Sequence, residues 1–140
     1  MATPAFLVRL MHYASLSPRI KLGPEDRMAI PFANQLRVHT LKGRLRAVWC
    51  HPANELAGAA RATPAAAIAR ALGLIAGSSD FLFLWKDGAG ALEAKSDVGR
   101  LSPGQKDFRD WCDLMGVPFH VFRTADEGES YLRGWGVLDD

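Results

Sequence analysis

"SSDFLFLWKDGAGALEAK", residues 78 to 95, decides how this chain folds. Phe81 to Trp85 is a run of strand-forming residues, Asp87-Gly88 breaks it, and a second apolar run ends in "EAK". Asp-Gly is a two-residue hairpin signal, because a type I′ turn wants positive φ at both central positions. With those two as the loop, Lys86 pairs with Ala89, Leu82 with Glu93 and Asp80 with Lys95. Asp80, Leu82, Glu93 and Lys95 then share one face of the sheet. A Gly88-Ala89 loop keeps that face, whereas a three-residue loop moves Asp80 to the other.

Charges inside apolar strands are costly unless something binds them. In the Asp87-Gly88 register Asp80 and Glu93 are diagonal neighbours, with Cβ atoms about 7–8 Å apart. Two such carboxylates can hold one small divalent cation, with the Ala94 carbonyl as a further oxygen ligand. That chemistry suits hydrolysis at phosphate, with Lys95 as the cation that orients water or stabilises developing negative charge. The bland alternative is a salt bridge between Asp80 and Lys95 at the sheet margin.

The 140 residues suit one domain, and at 49% hydrophobic with four Trp and seven Phe they can bury a core. No run reaches the roughly 18 apolar residues of a membrane span. Arg9 and His12 interrupt the apolar start, which makes a poor signal peptide. Cys50 and Cys112 have no metal-type spacing, and a reduced, cytoplasmic setting is the simpler expectation. The net charge of +2 is uneven: residues 1 to 70 hold ten Lys/Arg against three Asp/Glu, residues 71 to 140 seven against twelve. A basic half suggests an anionic partner such as nucleic acid.

Residues 1 to 31 have a weak pattern and read as an irregular N-terminal arm; residues 32 to 140 read as one mixed α/β domain. "FANQLRVHTLKG" predicts a helix stopped by Gly43, and "RLRAVWCH" a strand with Arg44 and Arg46 away from its apolar face. Thr63 with Pro64 opens a helix, and Ser102 caps another whose buried stripe is Phe108, Trp111, Cys112 and Met115. "VPFHVFR" is a strand, and Thr124 with Glu127 predicts a capping box on a last helix.

"WCHPANE", "LGLIAGSSDFLFL", "ALEAKSDVGRLSPGQKDF", "LMGVPFHVFR" and "ADEGESYL", taken in order, resemble the VRR-NUC family, the virus-type replication-repair nucleases of the PD-(D/E)XK superfamily. The resemblance spans about residues 32 to 135. It falls on His51 and Asn54, on Gly77 and Asp80, on Glu93 and Lys95, and on Gly99, Leu101, Ser102 and Gln105. It implies a restriction-endonuclease-like core, a mixed β-sheet flanked by helices. It also implies Asp80 and Glu93 as ligands of Mg2+ or Mn2+, Lys95 as catalytic lysine and Gln105 as a supporting residue. Ser79 stands where the family carries proline, and Ala94 where it carries a larger aliphatic residue. The family's glutamate one turn before a glutamine is absent ahead of Gln35, which leaves Glu25 or Glu55 as substitutes. Stand-alone members resemble small phage or bacterial proteins that cut branched DNA, often as dimers.

Arg44, Arg46, Arg61 and Arg100 are candidates to grip backbone phosphate, and His51 and Asn54 to contact phosphate or organise the cleft. The expectation is a metal-dependent DNA endonuclease of replication or repair. It selects DNA structure, such as a Holliday junction, rather than sequence, and acts as a homodimer without a membrane. The rival is a non-catalytic DNA-binding module that keeps the fold.

Overall fold

The hairpin closes one step earlier than its Asp-Gly pair suggests. In the computed structural model, which describes residues 2–12, 16–52 and 63–140, Trp85 pairs with Gly88 and the loop is Lys86-Asp87. Neither loop residue has positive φ, and Gly88 is not among the positive-φ glycines. Gly88 serves a different need. A Cβ there would lie 2.9 Å from the Trp85 indole, so the missing side chain makes room for the ring beside it. The two-residue slip corrects the expected register: Phe81 faces Leu92 and Leu82 faces Ala91, so continuing one step places Asp80 opposite Glu93 rather than Lys95. The loop length stays even, and Asp80 and Glu93 keep a common face.

The described elements run α1 (Ala5–Leu10), α2 (Pro24–Leu41), β1 (Val48–Cys50), α3 (Pro64–Ala71), β2 (Phe81–Trp85), β3 (Gly88–Ala94), α4 (Pro103–Leu114), β4 (Phe119–Phe122) and α5 (Ala125–Gly134). The four strands form one sheet in the order β1-β2-β3-β4. β1, β2 and β3 are antiparallel neighbours. The Ala91 N–H donates to the Pro118 carbonyl and the Lys95 N–H to the Phe122 carbonyl, so β3 and β4 advance together and are parallel. α4 is the crossover such a parallel pair requires. The protein is therefore mixed α/β with a mixed sheet. Among the described residues, no helix is long and apolar enough to cross a membrane.

The chain groups into two compact units, one of Met1–Ala47, Ala94–Val98 and Phe122–Asp140, the other of Val48–Glu93 and Gly99–Val121. In the first, α2 begins at Pro24 and continues through residue 31, earlier than "FANQL" suggests. Gly23 precedes it, Pro24 sits where a missing N–H costs nothing, and Glu25 and Asp26 complement the helix dipole. Phe32, Leu36 and His39 are its buried side. His39 Nε2 meets Glu129 Oε1 on α5 at 2.8 Å, and Glu129 Oε2 accepts from Arg133 at 3.2 Å, so this buried carboxylate is paired. Phe32 and Phe122 lie 4.6 Å apart between ring centroids, fully buried.

In the second unit, Phe81, Phe83, Ala91 and Leu92 form the core of the hairpin. Trp49 on β1 packs 6.3 Å from Phe81 between ring centroids. The expected apolar stripe on α4 is only partly buried: Cys112 is inside, but Trp111 and Met115 are exposed. Phe108 and Trp111 meet edge to face instead. Burial, then neighbouring Asp113, pushes the Cys112 thiol up.

The helix caps follow the sequence closely. The Ala66 N–H donates to Thr63 Oγ1 at the start of α3. At α5 the Glu127 N–H donates to Thr124 Oγ1, but the Glu127 carboxylate accepts from the Arg123 N–H, one residue before the expected capping-box partner.

Gly128 on α5 tests the aromatic packing. A Cβ there would meet Phe32 at 2.7 Å and Phe122 at 3.1 Å. Helix propensity favours Gly128→Ala by about 1 kcal/mol, but overpacking costs about 1–3 kcal/mol. We expect a net loss of about 1 kcal/mol in urea unfolding. Gly134→Ala, with nothing within 4 Å, should instead gain about 0.5–1 kcal/mol. Equal gains at both positions would contradict the packing.

Candidate active site

The site is built from the first turn of α4 outward. Ser102 is the N-cap: its Oγ accepts from the Gln105 N–H at 3.2 Å, and Gln105 Oε1 accepts from the Ser102 N–H at 2.9 Å. This reciprocal capping box turns the Gln105 amide so that its oxygen faces the helix start. The amide nitrogen then has one direction left, and Nε2 donates to Glu93 Oε1 at 2.7 Å. A single side chain thus closes the helix and reaches the strand.

The turn is seated against the chain just ahead of the hairpin. Gly77 adopts φ +93, and a Cβ on it would lie 2.3 Å from the Gly104 carbonyl carbon. Gly104 in turn has room for little, since its Cβ would stand 3.1 Å from the Ala76 carbonyl oxygen. Two glycines therefore let two backbones touch, three residues before Asp80 and one before Gln105.

Glu93 is 2% exposed. Its second oxygen, Oε2, accepts from the Asp80 N–H at 3.2 Å, so both oxygens act as acceptors, as an ionised carboxylate's do. The Asp80 backbone is held from its other end too, because His51 Nδ1 donates to the Asp80 carbonyl at 2.5 Å. The His51 ring packs 5.7 Å from that of Phe81. Continuing the β1–β2 register places His51 opposite Phe81, on the face away from Glu93. Its bond to Asp80 is thus a backbone anchor. Ser102, Gln105, Glu93, Asp80 and His51 form one hydrogen-bonded chain from α4 to the end of β1.

Lys95 and Ala94 belong to the other unit. Lys95 is 8% exposed, and its backbone N–H is used by Phe122 of β4. Of the candidate phosphate contacts, Arg44 and Arg100 are exposed. Arg46 is exposed but turned inward on its own unit, donating to Asp139 and, at 2.7 Å, to the Gly136 carbonyl. It anchors the C-terminal segment. Asn54, Arg61 and Glu55 lie outside the described residues. Glu25 sits in the first turn of α2, in the first unit. The Ser79 hydroxyl and Gln35 Oε1 are buried without a hydrogen-bond partner among the described residues.

Gly77 and Gly104 are the residues that the sequence pattern underused. Each reads as a loop or first-turn glycine, and nothing local says that they touch.

No family model, curated protein or solved structure matches this chain.

The donor set can be judged on its chemistry. Among the described residues, no three His, Cys, Asp or Glu side chains gather as a metal-binding group. Asp80 and Glu93 bring two carboxylates to facing positions, an oxygen set of the kind hard divalent cations take, completed in practice by water. A carboxylate has about four lone-pair sites. Glu93 accepts an N–H donor at each oxygen, which orients its carboxylate. The residues fit such an ion.

Gly77→Ala should cost at least about 2 kcal/mol, from left-handed backbone strain plus the clash with Gly104. Denaturant unfolding measures it. A fully stable Gly77→Ala protein would mean that the two backbones do not touch.

Proposed function

We propose that this protein is a Mg2+- or Mn2+-dependent endonuclease that hydrolyses DNA phosphodiesters, with a restriction-endonuclease-like fold of the VRR-NUC kind. The observation that carries the proposal is the Glu93 carboxylate, buried on the sheet and held between the Asp80 N–H and the Gln105 amide. A structural carboxylate needs only pairing. This one stands opposite a second acid, with its orientation set by an amide that is itself fixed by a capping box.

In this proposal Asp80 and Glu93 hold the divalent ion, with the Ala94 carbonyl as a further ligand. The bound ion supplies positive charge at the scissile phosphate. Lys95, two residues beyond Glu93 in the chain, orients the attacking water and stabilises negative charge on the phosphate oxygens. Gln105 fixes the plane of the Glu93 carboxylate, and His51 holds the Asp80 backbone. Both are positioning residues.

DNA is the proposed substrate because the basic residues concentrate in one half of the sequence, where Arg44 is exposed. Residues 1 to 47 hold eight Lys/Arg against two Asp/Glu. A backbone-gripping enzyme of this size reads shape rather than bases, so branched DNA of phage or bacterial replication and repair is the proposed target. A cytoplasmic site of action belongs to the same proposal.

Labelled Holliday junctions, flaps, splayed arms and single strands, incubated with Mn2+ and with EDTA, test it. We expect cleavage with the metal only. Asp80→Asn, Glu93→Gln and Lys95→Ala should each reduce it by at least about 100-fold while binding persists. Gln105→Ala should cost about 10–100-fold, as supporting partners of metal ligands do. Binding should weaken with salt, and Arg44→Ala should flatten that slope by about one counterion. DNA binding without cleavage of any substrate would favour a non-catalytic binding module.

A further inference from the structure

Of the five lysines in the sequence, Lys95 alone is buried; Lys21, Lys42, Lys86 and Lys106 are exposed. Lysine keeps its ammonium in water wherever it can, so a buried one sits where the fold puts it. The β2–β3 pairing stops at Leu92, and β3 itself ends at Ala94. Beyond Ser96 the chain comes out to solvent, with Asp97 exposed and Val98 88% exposed. Lys95 therefore stands at a strand exit that the hairpin does not hold. What fixes it must come from the other side of β3.

That hold is a pair of hydrogen bonds on consecutive residues. The Lys95 N–H donates to the Phe122 carbonyl at 3.0 Å, at the end of β4. One residue further along both segments, Arg123 Nη1 donates to the Ser96 carbonyl. Arg123 is itself secured, because its own N–H donates to Glu127 Oε1 at 3.2 Å. The Glu127 N–H in turn donates to Thr124 Oγ1, the N-cap of α5, at 3.1 Å. Lys95, Ser96, Phe122, Arg123, Thr124 and Glu127 all belong to one compact unit. A half-buried guanidinium thus reaches back from the start of α5 to the peptide that follows the lysine.

We propose that Arg123 is a positioning residue for Lys95. Its guanidinium clamps the Ser96 carbonyl, so the backbone after Lys95 cannot turn and the ammonium stays at the exit of β3. A charged donor makes this bond stronger than a neutral one would. In this role Arg123 touches neither substrate nor metal. The consequence for catalysis rests on the part given to Lys95 in the proposed hydrolysis, whereas the clamp itself stands without it. The rival role for a basic residue here is a direct grip on DNA phosphate, which predicts lost binding rather than a displaced lysine.

Trace acetylation of the folded full chain with acetic anhydride, read residue by residue by mass spectrometry, tests the clamp without any cleavage. In wild type Lys95 should be the slowest of the five lysines to react. In Arg123→Ala its rate should rise by about tenfold, with the other four unchanged as internal references. Circular dichroism checks that the variant is folded. Should Arg123→Ala not fold, Arg123→Gln keeps an N–H without the charge, and a rise of about threefold is expected. Lys95 labelling that stays at the wild-type rate overturns the proposal, as does a rise shared by all five lysines. With Mn2+ and a cleaved DNA, Arg123→Ala should lower kcat by about 10–100-fold and leave KM and DNA binding unchanged. It should cost nothing further in a Lys95→Ala background. A raised KM with kcat intact would make Arg123 a DNA contact and contradict the positioning role. If wild type cleaves nothing, the nuclease reading fails, and the labelling still decides whether Arg123 holds Lys95.

Discussion

The organisation of this protein turns on one buried carboxylate. Glu93 sits in a strand whose neighbours are Ala and Leu, and its charge is tolerable there only because donors are already in place. A hydrogen bond to a charged group is worth about 1.5–3 kcal/mol, and a buried carboxylate that loses one is left with an unmet desolvation cost. Both donors are positioned by features remote from β3. Gln105 is turned by the α4 capping box, and the Asp80 N–H is presented by the chain that leaves the Gly77–Gly104 contact.

This explains why the second unit spends polar groups where an apolar core would be simpler. The Ser102–Gln105 box, the two glycines in backbone contact and the His51 anchor on the Asp80 carbonyl all converge on one pair of acids. By contrast, the buried pair of the first unit, His39 with Glu129, links two helices and is supported by Arg133 on the same helix as the glutamate. Similar residue types thus do different work: one set ties α2 to α5, and the other holds the Glu93 carboxylate and the Asp80 backbone together on the sheet.

Much of this was legible in the sequence, and what was not has identifiable causes. The hairpin, the shared face of Asp80 and Glu93, and the caps at Thr63, Ser102 and Thr124 follow from local chemistry. The register did not, because Asp87-Gly88 satisfies two rules at once. Gly next to Asp signals a primed turn, yet the glycine is needed under the Trp85 ring, a contact that no pairwise turn preference contains. The α4 stripe was misjudged for a related reason: Phe108, Trp111, Cys112 and Met115 span two sides of the helix, and only Cys112 is deeply buried. Arg46 reads as a free surface cation until the C-terminal residues fold back to meet it.

If Asp80 and Glu93 together hold a divalent ion, binding of that ion must depend on both acids, whatever DNA is cut. Calorimetric titration of the full chain with Mn2+ measures this directly. The account predicts saturable binding that is lost in Asp80→Asn and Glu93→Gln and weakened in Gln105→Ala. Wild-type protein that takes up no Mn2+, or Glu93→Gln protein that binds it as tightly as wild type, would contradict the central role given to these carboxylates.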